Sequence, residues 1–236
     1  MKQENPQPMK PQQFAEHRLL ISILNNTYPP GSKLPNERDL AEEIGVTRPT
    51  LRETLQRLAR EKWLNIHHGK QTIVNDYWSE GGLGMLATMA KYAAFLPPDF
   101  IPNLLDFRIH LLPPCAAASV RNAPERFLEH LEKTDSLGDD AEAFTIFDWE
   151  LQLLMVKYSN NLIYPLILND FSEIYQKLGT LYFRLSKARK SSGLYYAFLK
   201  KDIENSGEKT EEIVRSVMKE SLQIWQSMGS IKEEKK

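Results

Sequence analysis

The segment spanning residues 36–60 constrains the fold of this chain more than any other part of the sequence. Asn36 is a favourable N-cap for a helix with apolar residues spaced along one side, and Gly45 ends that helix. Thr47 is a suitable N-cap for the next helix, in which Pro49 is tolerated because the backbone donors of a first turn lack partners anyway. Helix, tight glycine turn and helix together predict a helix-turn-helix.

The second of these helices has separate apolar and basic sides. At about 100° per residue, Leu51, Leu55 and Leu58 lie within roughly 60° of one another and form a buried stripe. Arg48 and Arg52 are four residues apart, so both project from one flank of the first turns, where a recognition helix usually meets base edges. Their forked donors match guanine O6 and N7. The pattern favours base recognition, although basic runs are also typical of solvated helix faces.

The distribution of charge separates this chain from proteins that coat DNA. Lys and Arg number 30 against 31 Asp and Glu, which gives a formal net charge of −1. Within residues 47–70, however, six basic residues stand against two acidic ones. Positive charge focused on one segment favours sequence-specific binding, with an architectural DNA-binding protein as the alternative.

A small hairpin is predicted directly after this helix. Short strands at Trp63–Ile66 and Gln71–Val74 flank a basic tip that contains a glycine, which is typical of a wing. An amphipathic segment from Phe14 to Leu24 predicts one more helix ahead of the helix-turn-helix. Residues 1–77 are therefore predicted to form a winged helix-turn-helix of three helices plus a β-hairpin.

The rest of the chain is predicted to be helical, so the fold class is mostly α. A chain of 236 residues exceeds the usual ~100 to 150 residues of one domain, which favours two domains. Residues 78–84 have the glycine content of a linker. In residues 85–231 apolar side chains recur at helical spacing, which predicts a helical bundle, and residues 232–236 form a charged tail.

Polar residues interrupt two apolar stripes of this bundle. Arg108 follows an apolar run in one predicted helix, whereas Glu220 and Ser221 stand between Val217 and Ile224 in the last one. A charge that faces a bundle interior is costly unless it is paired or solvated. These residues therefore form a buried ion pair or line a polar cavity, and the pattern leaves both open.

The sequence carries no pattern typical of a catalytic site. It lacks a GxSxG elbow, a glycine-rich phosphate loop and HExxH. Cys115 and His110 lie about 140° apart around a helix, and Pro113 and Pro114 are expected to interrupt the path between them, so they form no dyad. We expect no enzyme, with a hydrolase as the less favoured alternative.

The expected location is the cytoplasm. The single cysteine excludes an internal disulfide, which fits a reducing compartment. The N-terminus has no apolar stretch of signal-peptide type, and no apolar window reaches the ~18 residues that a spanning helix needs. No membrane partner is expected.

The run LPNERDLAEEIGVTRPTLRETLQRLAREKWLNIHHGK resembles the winged helix-turn-helix of GntR-family bacterial transcription regulators. The order of its residues, the aromatic Trp63 after the helix and the HGK wing are similar to the FadR branch, whose members respond to fatty acids. Residues 12–78 match closely, and the remainder matches more loosely through LLDFR, NLIYPLILN and KES..IW.

This resemblance implies a set of residues that contact operator phosphates and bases, with the wing in the minor groove. The set comprises Arg38, Thr47, Arg48, Thr50 and Arg52 on the helices, and His68, Gly69 and Lys70 on the wing. Pro49 stands where the branch commonly has threonine. The resemblance also implies a homodimer on a palindromic double-stranded operator, released when the effector favours another geometry.

The segment KESLQIW resembles the part of FadR regulators that lines an acyl-CoA site, and the effector implied is long-chain acyl-CoA. The residues implied are Glu220, Ser221 and Trp225, joined by Arg108 and Tyr182 from other helices. Met218 and Leu222 stand where the branch typically has glycine, so their side chains are expected to narrow the pocket. A regulator that answers a different small metabolite without a metal is the alternative, and an acyl-CoA-binding hydrolase is the less favoured one. The resemblance thus implies that residues 85–231 bind the effector and regulate the dimer.

Many other GntR relatives bind a metal through one aspartate and three histidines. Asp148 is suitably placed for such a site, but Gln152 occupies the position of the first histidine. After the wing only His110 and His130 remain, and two histidines cannot supply three ligands. We therefore expect no metal and no other cofactor.

Overall fold

The computed structural model describes residues 9–67 and 69–233 of the chain. It divides into two compact units, the first ending at Leu96 and the second beginning at Pro97. Helices make up most of both units, and the described residues contain one small sheet of two strands. The mostly α fold class is confirmed.

The first unit contains the predicted helix-turn-helix and wing. Its elements are α1 (Pro11–Leu24), α2 (Glu37–Ile44), α3 (Arg48–Arg60), β1 (Leu64–Asn65), β2 (Ile73–Val74), α4 (Tyr77–Glu80), α5 (Met85–Lys91) and a 3-10 turn at Ala93–Phe95. The predicted linker, residues 78–84, thus includes the end of α4.

The turn between α2 and α3 has the cap chemistry that the sequence predicts. The Asn36 side-chain oxygen accepts hydrogen bonds from the backbone N–H groups of Arg38 and Asp39, at 3.1 and 3.0 Å. Gly45 ends α2 with a φ of +84°, in the left-handed region that favours glycine. Thr47 Oγ1 accepts from the Thr50 N–H at 3.4 Å and begins α3. Local hydrogen bonds therefore fix where both helices begin.

The hairpin is antiparallel, with Leu64 opposite Val74 and Asn65 opposite Ile73. Each strand has two residues, fewer than the four predicted. The other edge of β2 is occupied by residues 31–34, because Val74 N–H donates to the Ser32 carbonyl at 2.9 Å. The connection between α1 and α2 thus completes the base of the wing.

The second unit is entirely helical in the described residues, as predicted. Its elements are α6 (Phe100–Asn122), α7 (Pro124–Leu131), a 3-10 segment at Glu132–Ser136, α8 (Ala141–Lys157), α9 (Ile163–Asn169), α10 (Ser172–Phe183), α11 (Ser186–Asn205) and α12 (Thr210–Glu233). α6 packs against α8 and α12, and α8 packs against α10. Across the described ranges, no helix has the length and apolar character needed to cross a bilayer.

The expectation that Pro113 and Pro114 interrupt their helix is wrong, since α6 continues through both. A proline has no N–H, so Pro113 leaves the carbonyl of Ile109 without its usual intrahelical donor. Arg215 of α12 supplies a replacement, because its Nη1 donates to the Ile109 carbonyl at 3.0 Å. A tertiary hydrogen bond therefore satisfies the free Ile109 carbonyl, at the point where the sequence predicted a break in the helix.

Candidate nucleic-acid interface and ligand cavity

The start of α2 and the first turns of α3 carry a cluster of exposed arginines. Arg52 Nη2 donates to Glu37 Oε2 at 2.6 Å, and Arg38 Nε donates to Asp39 Oδ1 at 3.0 Å. The pKa of Asp39 lies below its ordinary value, chiefly through the hydrogen bond from Arg38, and Arg48 lowers it further by its charge. Arg52 and Arg38 are thus each hydrogen-bonded to a carboxylate, and Arg48 interacts with Asp39 through its charge. The three arginines predicted from the sequence therefore share one surface.

The two threonines predicted to contact DNA are already engaged in the cap of α3. The hydroxyls of Thr47 and Thr50 lie 2.9 Å apart, and Thr47 also accepts the backbone bond that begins the helix. Thr47 is exposed, whereas Thr50 is half-buried. Thr47 therefore has a structural role besides its predicted one.

The tip of the wing is exposed at Gly69 and Lys70. Gly69 has a φ of +73°, and the Lys70 N–H donates to the His67 carbonyl at 3.1 Å, which closes the turn. His68 lies outside the described residues. Its predicted DNA contact therefore stays a prediction.

Buried leucines hold the recognition helix in place. Leu51, Leu55 and Leu58 are buried as the helical angle predicted, and Trp63 packs its ring 5.1 Å from that of Tyr77. The side of α3 that carries Arg48 and Arg52 is exposed to solvent. The surface fits a DNA groove, because positive, forked donors stand on a rigid support.

The helices of the second unit enclose a mostly apolar cavity of about 90 Å³. Side chains from α6, α8, α10, α11 and α12 line it. Four of the five predicted ligand residues are among them: Arg108, Tyr182, Ser221 and Trp225. Three helices that are distant in sequence thus bring these residues to one place.

Glu220 lies elsewhere, and its expected position in the bundle interior is wrong. It is exposed and lines a groove between α11 and α12. The buried side of α12 passes through Met218, and Glu220 lies about 200° farther round the helix. Among the described residues no ion pair joins Arg108 to Glu220, so the buried-pair interpretation is wrong as well.

A hydrogen-bonded carboxylate stands at the cavity wall. Asp148 accepts from Tyr175 Oη at 2.5 Å, from Gln152 Nε2 at 2.6 Å and from Tyr196 Oη at 2.9 Å. The Arg108 guanidinium lies 5.6 Å from the centre of the Tyr175 ring, within the range of a cation–π contact. Charge and hydrogen bonds thus meet at one side of an otherwise apolar space.

These surroundings shift the pKa values of the cavity tyrosines upward. Burial is the main cause for Tyr175, Tyr182 and Tyr195, because it disfavours the charged phenolate. The negative charge of Asp148 raises each pKa further, whereas Arg108 lowers it. All three therefore stay neutral O–H groups at physiological pH.

Comparison with known proteins finds a family match for each of two parts of the chain. The family "Bacterial regulatory proteins, gntR family" matches residues 11–74, and "FadR C-terminal domain" matches residues 75–234. The chain belongs to the GntR family, in its FadR branch. GntR membership makes it a DNA-binding transcription regulator, and not an enzyme.

Two curated relatives cover nearly the whole chain. The "Fatty acid metabolism regulator protein" of Serratia proteamaculans (strain 568) is 43% identical over 219 residues, which is 92% of each chain. The protein of the same name from Pasteurella multocida (strain Pm70) is 40% identical over 229 residues, 95% of each chain. Among solved structures, one described as "Lar controls the expression of the Listeria monocytogenes agr system and mediates virulence" has a TM-score of 0.57 at 14% identity. It covers 92% of this chain and 97% of that one. The last likeness concerns the fold alone.

Met218 and Leu222, the two positions of this GntR chain expected to narrow the pocket, differ in their surroundings. Met218 is 4% exposed and lines the cavity, so its side chain takes up space there. Leu222 is half-buried, and the described residues that line the cavity do not include it. The expected narrowing therefore applies to Met218.

Sequence reasoning missed several cavity residues of this GntR chain. Tyr175 and Tyr195 were absent from the predicted site, and Asp148 and Gln152 were weighed only as metal ligands. Their signal is the one that revealed Arg108, namely a polar side chain within an apolar helical stripe. A search for polar side chains within the apolar stripe of every predicted helix would have found these residues.

The lone cysteine gives no support to a hydrolase. Burial raises the pKa of the Cys115 thiol to about 11, so the thiol stays protonated and weakly nucleophilic at neutral pH. His110 is exposed, and its Nδ1 lies 2.9 Å from the Asp106 carbonyl. Cys115 is buried in α6 as a free cysteine.

Proposed function

We propose that this regulator controls fatty acid metabolism, binding a palindromic operator as a homodimer and leaving it when long-chain acyl-CoA binds the second unit. The observation that carries the proposal is the apolar cavity with a few polar groups, lined by Arg108, Tyr182, Ser221 and Trp225. An acyl thioester has an apolar tail, which needs an apolar channel, and an anionic head, which needs fixed polar partners. The relatives named fatty acid metabolism regulator support the metabolic role.

The size of the cavity bears on how release occurs. At about 90 Å³ the cavity is several times smaller than the roughly 300 to 1,000 Å³ typical of pockets that bury a drug-sized ligand, and a long acyl chain is at least as large as such a ligand. Binding of a long chain must therefore part the helices that line the cavity. A ligand that binds more tightly to the conformation with parted helices shifts the population toward that conformation. Release from operator DNA requires such a difference in ligand affinity between two conformations.

The dimer and the cellular location belong to the same proposal. One winged unit reads only half of a palindrome, so two copies give the specificity that a regulator needs. A protein that acts on chromosomal operators works in the cytoplasm of a bacterium. Double-stranded DNA, acyl-CoA and a second copy of the chain are thus the proposed partners, without a membrane partner.

The test compares operator binding with and without effector. Fluorescence anisotropy of labelled operator DNA should show release by palmitoyl-CoA and much weaker release by free CoA, which lacks the tail. Ser221→Ala should raise the palmitoyl-CoA concentration needed for release, because Ser221 lines the cavity, while leaving operator affinity without ligand unchanged. The substitution removes one hydroxyl from a half-buried side chain, so it should not unfold the unit. Glu220→Ala, at the neighbouring exposed position outside the cavity lining, is the matched control. Calorimetry that detects no palmitoyl-CoA binding to folded protein would refute the acyl-CoA effector.

The small cavity also favours a second candidate. A small metabolite would need less movement of the helices than a long acyl chain, which supports a GntR regulator with a smaller effector. A thermal-shift screen of acyl-CoA esters against small organic acids separates the two, because binding to the native state raises the melting temperature. Stabilisation by a small acid alone would select this candidate.

A further inference from the structure

Four residues that line the cavity each have a buried polar atom without a hydrogen-bond partner in the described part of the chain. These atoms are Tyr195 Oη, Gln152 Oε1, Tyr182 Oη and Arg108 Nε. Tyr195 is 5% exposed and Gln152 is 1% exposed, so solvent does not satisfy them from outside. Buried polar atoms without partners are rare, and several in one cavity indicate that a ligand supplies what the protein does not.

The Asp148 carboxylate does not provide a hydrogen-bond partner for these atoms. Asp148 already accepts hydrogen bonds from Tyr175, Tyr196 and Gln152, which use most of its acceptor capacity. The hydrogen bond from Gln152 to Asp148 fixes the orientation of the Gln152 amide, because the nitrogen donates to Asp148 and the oxygen has no partner. Three donors and one acceptor of the cavity-lining residues therefore remain without partners.

The types of the four atoms narrow the chemistry of the group that they would bind. Arg108 Nε–H and the two tyrosine hydroxyls donate, whereas Gln152 Oε1 can only accept. A plain alkyl chain satisfies neither kind. A carboxylate accepts but cannot donate, and it would bring a second negative charge toward Asp148. A hydroxyl group accepts and donates at once, without net charge, which suits a cavity that is mostly apolar.

We propose that the cavity selects an acyl chain that carries a hydroxyl group, with Tyr195 and Gln152 as the specificity-determining residues. The inference rests on the proposed function in one respect, namely that the chain arrives as a CoA thioester. One net hydrogen bond is worth about fivefold in affinity, so a correctly placed hydroxyl should strengthen binding by about that factor or more.

The binding test uses isothermal titration calorimetry on the full-length protein. The probes are palmitoyl-CoA and its 3-hydroxy, 10-hydroxy and 16-hydroxy counterparts, together with the free 10-hydroxy and 16-hydroxy acids. At least one hydroxylated thioester should bind about fivefold more tightly than palmitoyl-CoA. Tyr195→Phe should bring that ratio toward one, because it removes only the hydroxyl. Tyr158→Phe, a tyrosine outside the cavity lining, should leave the ratio unchanged.

A second measurement on two adjacent tyrosines separates ligand recognition from a structural role. Tyr196 Oη donates to Asp148 at 2.9 Å, whereas Tyr195 Oη has no partner. Tyr196→Phe should therefore lower the melting temperature of the free protein, and Tyr195→Phe should leave it equal or higher. An equal loss for both variants would show that the Tyr195 hydroxyl is structurally bonded and would overturn the proposal.

The remaining outcomes distinguish this inference from the proposed function. If palmitoyl-CoA binds and no hydroxylated thioester binds more tightly, the hydroxyl inference is wrong and the acyl-CoA function stands. If no thioester binds but a free hydroxy acid does, with dependence on Tyr195, the hydroxyl inference stands and the acyl-CoA function is wrong. If no probe binds folded protein, both are wrong.

Discussion

Replacement of Met218 by alanine should change the acyl-chain length that the regulator prefers. Met218 is 4% exposed and lines the cavity from α12. Its truncation removes Cγ, Sδ and Cε and leaves room for about three methylene groups. At ~0.8 kcal/mol per buried methylene, a chain longer by that amount gains up to about 2.4 kcal/mol, or about fiftyfold in affinity. The preferred chain should therefore become about three carbons longer.

The same truncation also weakens the fold, and the experiment must allow for that. Met→Ala in a core typically costs about 2 to 5 kcal/mol of unfolding free energy, against a total of ~5 to 15 kcal/mol for a domain. The variant should remain folded with a lower melting temperature. Bound long-chain ligand should restore part of that loss, because it fills the space that the side chain left.

Calorimetry with acyl-CoA esters from octanoyl to stearoyl measures the preference directly. Leu222→Ala is the matched control, since Leu222 lies on the same helix and the described lining of the cavity does not include it. The control should keep the wild-type preference. An unchanged preference in a folded Met218→Ala protein would refute the reasoning that Met218 limits the cavity.

Three further predictions concern DNA reading, the proline-containing helix and pH. Arg52→Ala should weaken binding to operator DNA by ~1 to 3 kcal/mol and far more than binding to random duplex, whereas Lys70→Ala should weaken both similarly in competition assays at several salt concentrations. Arg215→Leu should lower the free energy of unfolding by about 1 to 3 kcal/mol in urea titrations, because a buried carbonyl loses its donor, and Arg215→Lys should recover part of it. Burial lowers the pKa of His130 below its ordinary 6.5, so the unfolded state binds more protons and stability should fall as the pH drops below about 6.5. This slope, read from melting temperature against pH, should be smaller in His130→Phe, and an equal slope would contradict the assignment.

Local interactions explain why much of the first unit was predictable. Caps at Asn36 and Thr47 and the glycine turn at Gly45 depend on residues within a few positions of each other, so the sequence contains all of their determinants. The α1 stripe was predicted less well, because Phe14, assigned to the apolar side, is 39% exposed, whereas Ala15 is buried. A shift of one residue turns a helix face by about 100°, and only tertiary packing decides between such alternatives.

Contacts between distant residues explain what the sequence did not reveal. The continuity of α6 through Pro113 depends on Arg215, which lies about a hundred positions later in the chain. Likewise, the Glu37 carboxylate that holds Arg52 comes from another helix. Neither pairing has a periodicity or a spacing that a single sequence displays.

Asp148 connects the metal-binding hypothesis with the chemistry of the cavity. A carboxylate in a helical bundle needs compensation for its charge, and a bound cation is one way to supply it. Here three neutral donors, from Gln152, Tyr175 and Tyr196, bond to its oxygens, so the charge is stabilised by hydrogen bonds of the protein itself. Gln152, the position weighed for a histidine in the metal hypothesis, completes this set, and its remaining oxygen has no hydrogen-bond partner within the described residues. The side chain thus contributes a hydrogen-bonding group to the wall of the cavity. Effector choice in this branch should then depend on the placement of polar groups along an apolar chain.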